Sequence, residues 1–487
     1  MEVSIEQADS SPRVSHAVLL TSAQLARGLF RLLFVVAVAR VLGPSQFGLY
    51  VLLLATVEIF AVASGSGYGD YLTREAARDE RLGWGLAGQL VGVRLLCVVP
   101  LLAAGLGILQ LIGYPRHVLL LTAFLSVSLL PRSLSEVVQG VLRGIGRYLG
   151  FLLVELALGL TLAGGAVVLL VGRGSLSSVI EVEIAGAAMA GIAAFLFALK
   201  YRSRERRRLE ISQLVKTSGI FNIYGFIVNL YDRLDVLMLS KLAGDYATGI
   251  YGAAYRPIGA AQILPYGILY SLLPGLSRGS YSQAEQQRLE RAMGLLLCAA
   301  FVIVLATTAF VGPAVRLLLG VSYASSAIAL KILVWAVVFR YTNYALNIVI
   351  LAAGHERVFV ITSAICLATN FVANLVFIPM YTWRAAAVIT VFTEIVLLGQ
   401  NIYWLRRLVG RIPRPLGWAR ASLAFAVLWV ALFAGARIVS ASWIGAVCVL
   451  LFLGFLYWTG MMGEFAVVWR QKRSQGPEGL LFLRAKA

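Results

Sequence analysis

The sequence predicts an all-α polytopic membrane protein of about fourteen transmembrane helices, and three observations carry that reading. The 487 residues are 60% hydrophobic and only 13% charged. Their mean hydropathy is +0.84, more apolar than a water-soluble domain requires. Apolar runs of about 20 residues, enough to cross the hydrocarbon core as a helix, recur from Ala17 to Met462 without the alternation of membrane strands.

The first six runs cover residues 17–39, 47–68, 86–111, 118–140, 149–172 and 179–199. A second six cover 212–240, 247–275, 292–312, 325–353, 358–378 and 385–405, and a last pair covers 421–439 and 443–463. The expected organisation is a tail at 1–16, a six-helix bundle at 17–199, a basic linker at 200–211 and a second bundle at 212–405. A basic loop at 406–420, a peripheral helix pair at 421–463 and a tail at 464–487 complete it. The opening MEVSIEQADS is acidic where a secretory signal is basic, and Arg27 and Arg31 interrupt the first run, so no cleaved signal is expected.

The formal net charge of +19 would suit a nucleic-acid binder, but its distribution over the loops points elsewhere. Of the 42 Lys and Arg, 26 fall in one alternate set of connections and termini and 7 in the other. Cations concentrate on the cytoplasmic side of a membrane protein, so both termini are expected there, with no nucleic-acid partner. The basic stretch KYRSRERRRLE at 200–210 reads as a topology-fixing cytoplasmic loop. Cys97, Cys298, Cys366 and Cys448 lie singly in apolar runs, which indicates neither disulfide nor metal.

At an offset of 201 the sequence matches itself weakly but in order, Arg31–Tyr50 lying over Asp232–Tyr251. Leu33, Val35, Gly43, Gly48 and Tyr50 recur as Leu234, Val236, Gly244, Gly249 and Tyr251, and Arg40 becomes Lys241. Six spans separate the copies, so they run in the same direction and predict two bundles related by an axis along the membrane normal.

The remaining 9 cations lie within or at the ends of spans. An Arg or Lys at a helix centre costs roughly 3 kcal/mol when it faces lipid, so most of them must face the bundle interior. Lys216, Arg132 and Lys331 are read as snorkelling from span ends. That leaves Arg27, Arg31, Arg94, Arg233, Arg256 and Arg340 as an anion-attracting set, with Gln24 on the face that Arg27 and Arg31 share at i, i+4. Among the acids, Asp232 and Asp235 share a face of span seven and Glu58 lies in span two. The repeat places Asp232 opposite Arg31, and Arg256 one turn from Glu58, suggesting two inter-bundle pairs. Each pair is read equally as structural glue and as a device of transport. Glu181 and Glu183 are read as wet, near a span end.

LARGLFRLLFVVAVARVLGPSQFGLYVLLLATVEIF followed by GYGDYLTREAAR resembles the start of a bacterial polysaccharide-biosynthesis flippase, and YDRLDVLMLSKLAGDYATGIYGAAYRP resembles the start of that family's second half. The motifs are the ARxLGPxxFGxY stretch, Ala39–Tyr50, and GxYGAAYR, Gly249–Arg256. The family is part of the multidrug/oligosaccharidyl-lipid/polysaccharide exporter superfamily. The resemblance implies a transporter, not an enzyme, that moves polyprenyl-diphosphate-linked oligosaccharide across the bacterial inner membrane by alternating access around a cationic cleft. It implies no cofactor, leaves proton or sodium coupling open, and makes membrane lipids, glycan polymerases and glycosyltransferases the partners to expect. Spans 13 and 14 would shape a groove for the lipid tail. Two alternatives stand beside it. One is an ion-coupled drug or small-solute exporter using Asp232, Asp235 and Glu58; the other is a membrane glycosyltransferase or polymerase, disfavoured by short outer loops without catalytic acids.

Overall fold

A computed structural model describes residues 14–65, 68–201, 211–269, 272–276, 283–355, 357–410, 412–415, 417–435 and 441–460. The first bundle contains α1 (Val14–Ala63), α2 (Tyr68–Arg78), α3 (Glu80–Leu111), α4 (Arg116–Ser126), α5 (Leu129–Gly144), α6 (Tyr148–Gly172) and α7 (Leu176–Lys200). The second contains α8 (Ile211–Ala261), α9 (Ile263–Leu269), α10 (Leu273–Leu276), α11 (Gln283–Leu318), α12 (Ala324–Leu333), α13 (Trp335–Ala352), α14 (Arg357–Tyr381) and α15 (Trp383–Leu408). The pair α16 (Trp418–Gly435) and α17 (Ala441–Trp458) packs on α11. Ten helices are long and apolar enough to cross a membrane among the described residues, and α17 is a shorter apolar helix.

The internal repeat is visible in the backbone. Spans one and two are the two arms of α1, bent where Gly43 adopts φ 69°, and spans seven and eight are the arms of α8, bent where Gly244 adopts φ 82°. Glycine reaches that left-handed region without the penalty a Cβ would impose, and Pro44 follows without needing a backbone N–H. The two bent helices pack against each other and form the contact between bundles. At the crossing, a Cβ on Gly48 would strike the Asp245 carbonyl oxygen, and one on Gly249 would strike that of Pro44. The repeat therefore places its two glycines face to face.

Among the described residues, three hydrogen bonds join the bundles at this end. Lys241 Nζ donates to the Gly113 carbonyl at 3.2 Å, Tyr114 to that of Leu237 at 3.2 Å, and Tyr323 to that of Ala39 at 2.9 Å.

Several expected spans are divided. The second span ends at Ala63, and α2 is a separate amphipathic helix against α5, with Thr73 Oγ1 donating to the Gly140 carbonyl at 3.0 Å. The fourth span breaks between α4 and α5, the tenth at Val334, and the eighth ends at Ala261, a turn beyond Pro257. The basic linker at 202–210 and the tails at 1–13 and 461–487 lie outside the described residues.

Candidate functional site

The charged residues of the spans form three groups, set by which face each helix turns inward. In the first bundle, Arg27 and Arg31 lie one turn apart on α1 and both meet carboxylates of their own bundle. Arg27, 59% exposed, pairs with Glu155 of α6 at 3.4 Å, and Gln139 donates to the same oxygen at 3.3 Å. Arg31 pairs with Glu183 of α7 at 2.6 Å. Glu183 is 0% exposed and also accepts the Tyr50 hydroxyl and, on its second oxygen, Arg132 at 3.2 Å. Arg94 of α3 is buried and pairs with Glu136 of α5 at 2.6 Å.

The second group bridges the bundles: Glu58 of α1 meets Arg233 of α8 at 2.6 Å. Arg256, further along α8, lies within electrostatic reach of Arg31, Glu58 and Arg233, but makes no ion pair or hydrogen bond among the described residues. It is the one member of the six predicted arginines in that condition.

The third group fills the second bundle. Arg340 of α13 pairs with Glu394 of α15 at 2.6 Å, and Asn343 donates to the other carboxylate oxygen at 3.0 Å. Asp235 of α8 is buried and accepts Asn374 at 2.7 Å, Tyr251 at 2.6 Å and Thr390 at 3.0 Å. Asn374 also donates to Asn370 at 2.7 Å. Asp232 makes no hydrogen bond or ion pair among the described residues; Arg340 and Arg233 lie within electrostatic reach of it. The repeat runs through these contacts too. Tyr50 and Tyr251 each donate to a buried carboxylate, and the Arg132–Glu183 link between spans four and six is matched by Arg340–Glu394 between spans ten and twelve.

The predicted partners therefore change. Arg31 meets Glu183 rather than Asp232, because the face that carries Arg27 and Arg31 packs on α6 and α7. Glu58 meets Arg233 rather than Arg256, which stands on the other arm of α8. Glu183 is not wet, and Arg132 is tied to it rather than free to snorkel. The side chain of Gln24 lies outside the described residues. The sequence reading took Glu183 as wet and did not single out Tyr50, although Arg132, a cation given no acid, was a signal that a carboxylate had to lie nearby.

Beside Arg256 lies a cavity of about 350 Å³ walled by α1, α8 and α11, including Leu32, Val36, Ala253, Ala306 and Phe310. Arg256 is the charged residue in an otherwise apolar wall with one hydroxyl, that of Thr307. No residue of α16 or α17 lines it. A guanidinium set in an apolar wall suits an amphiphile with an anionic head.

The family model described as polysaccharide biosynthesis protein matches residues 14–280. No curated protein sequence matches the chain. Among solved structures, the lipid II flippase MurJ in an inward closed conformation is similar at a TM-score of 0.68 and 12% identity, over 90% of this chain and 99% of that one. An inward-facing multidrug resistance MATE family transporter of the MOP superfamily is similar at 0.63 and 14% identity, over 81% of this chain and 98% of that one. A MOP superfamily transporter from Pyrococcus furiosus, described as having a binding pocket of reversed polarity, is similar at 0.57 and 16% identity, over 82% and 96%. At these identities the likeness is one of fold.

Proposed function

The chain belongs to the polysaccharide biosynthesis protein family, and from that premise we propose that it moves a polyprenyl-diphosphate-linked oligosaccharide across a bacterial inner membrane by alternating access. The observation that carries the reading is Arg256, a guanidinium with no ion pair among the described residues, between the Arg31/Arg233 cluster and an apolar cavity. A diphosphate diester supplies two negative charges and bidentate acceptors for guanidinium forks. Arg31 and Arg233 can turn to it because their present partners are not left bare. Glu183 keeps Tyr50 and Arg132, and Glu58 lies at the partly exposed boundary between bundles. The cavity beside Arg256 takes the first isoprene units while the glycan occupies the space between bundles.

The bundles are joined at the Gly43/Gly244 end, which the cation distribution makes periplasmic, so the substrate enters from the cytoplasmic side. Asp235 is the coupling carboxylate in this reading, for a proton or a sodium ion. Hydroxyl and amide groups surround it and no cation pairs with it among the described residues, so its charge can be exchanged without breaking an ion pair. Glycosyltransferases and a polymerase that use the same carrier are the partners this places on either side of the membrane.

The test is binding of polyprenyl diphosphate to the purified full-length protein. Arg256→Ala should weaken it at least tenfold and Arg256→Lys less, since a point ammonium cannot reproduce the fork. Unchanged affinity in Arg256→Ala would refute the assignment.

A further inference from the structure

A second cavity, of about 390 Å³, lies away from the central cluster between α11, α12, α13 and α16. Its wall is Thr308, Ile328, Lys331, Ile332, Trp335, Trp429, Leu432 and Phe433. Ile328 and Phe433 are 48% and 60% exposed, so the cavity opens on the face of the molecule that meets hydrocarbon. Lys331 is also exposed and has no carboxylate, hydrogen bond or ring partner among the described residues.

Its depth makes an unpaired ammonium informative. Lys331 lies roughly 15 Å along the helix axis from Val321, where the apolar stretch Val321–Ala352 begins. That stretch is 32 residues; centred on a ~30 Å hydrocarbon core it would overhang at both ends and put the Lys331 backbone a few ångströms inside. A cation there is costly unless it reaches an anion at the boundary, and the lysine stem is long enough to reach the phosphate layer.

The rest of the wall is chosen to match. Trp335 and Trp429 stand edge to face at 4.9 Å, and neither indole N–H has a hydrogen-bond partner among the described residues. The one hydroxyl, on Thr308, already donates to the Val304 carbonyl at 2.8 Å. The polar groups still free to act are thus donors, and the wall has no carboxylate to receive an ammonium headgroup.

We propose that this cavity is a binding site for one anionic phospholipid of the leaflet at the Gly320 end, its phosphate on Lys331 and an acyl chain against Trp335, Trp429 and Phe433. An anionic lipid fits better than a zwitterionic one because the site offers a cation and N–H donors without a counterpart for choline or ethanolamine. A soluble anion fits worse because the cavity opens toward hydrocarbon.

The experiment is tryptophan quenching of the full-length protein in bilayers by dibrominated phosphatidylglycerol or dibrominated phosphatidylcholine. In the wild type, the phosphatidylglycerol should reach half-maximal quenching at a mole fraction at least threefold lower. Lys331→Gln should abolish that preference, Lys331→Arg should keep it, and Trp335→Phe/Trp429→Phe should remove the selectively quenched emission. Equal quenching by the two lipids in the wild type would overturn the proposal without recourse to any variant. So would a preference that survives Lys331→Gln, protection by millimolar inorganic phosphate, or displacement by an equimolar polyprenyl diphosphate.

Discussion

Arg31 and Glu183 separate the structural from the transport role of an intramembrane charge. Removing Arg31 alone leaves Glu183 to Tyr50 and Arg132, so a buried carboxylate loses one of its two cations, which costs less than the about 3–5 kcal/mol of a buried charge left wholly uncompensated. Arg31→Ala should therefore lower both the melting temperature and glycan export, while Arg31→Ala/Glu183→Gln should recover most of the melting temperature and none of the export. Recovery of both would make the pair structural. At Asp235, Asn keeps the shape and removes the charge, so Asp235→Asn should retain substrate binding and lose the dependence of transport on an imposed proton or sodium gradient. A gradient response like the wild type's would remove Asp235 from coupling. The six arginines were legible in the sequence because a cation in an apolar span needs a reason. Their partners were not, because the choice between Asp232 and Glu183 depends on helix rotation, and one residue turns a side chain by about 100°. Glu183 could have been found from Ser175, whose side chain accepts from the Ser178 N–H and caps α7. That start puts Glu183 two turns inside the helix.

At the scale of elements, the bent helices α1 and α8 and their glycine crossing decide which end of the molecule is shut. Gly48 and Gly249 allow backbone against backbone, so Gly48→Val or Gly249→Val should wedge that end apart. A cysteine introduced at Leu42 should then react several-fold faster with a membrane-impermeant maleimide, and export should fall. An unchanged rate would show that the crossing does not seal the molecule. Lys241→Ala removes one bond across the same end and should have a smaller effect in the same direction. The repeat at an offset of 201 already contained this arrangement, because Gly43, Gly48 and Tyr50 recur as Gly244, Gly249 and Tyr251. The breaks at Val334 and between α4 and α5 were hidden, since continuous apolar sequence does not distinguish a straight helix from two joined ones.

For the whole molecule, the lopsided loop cations predict the orientation of a fold whose interior is polar in specific places and whose exterior is apolar. A reporter fused after Glu205 should be cytoplasmic and one after Arg316 periplasmic, and the reverse of either would invert the proposed direction of transport. The span count, the two halves and the position of the added pair follow from hydropathy and the repeat; the site of the lipid tail does not, because apolar cavities and apolar packing have the same composition. The central claim is that the cleft handles an anionic lipid. Its most direct test is transfer of a fluorescent polyprenyl-diphosphate oligosaccharide between leaflets of proteoliposomes containing the purified protein, with a cationic dye measured in parallel. Transfer of the lipid, lost in Arg256→Ala, with no transport of the dye is the predicted result; dye transport without movement of the lipid would contradict it.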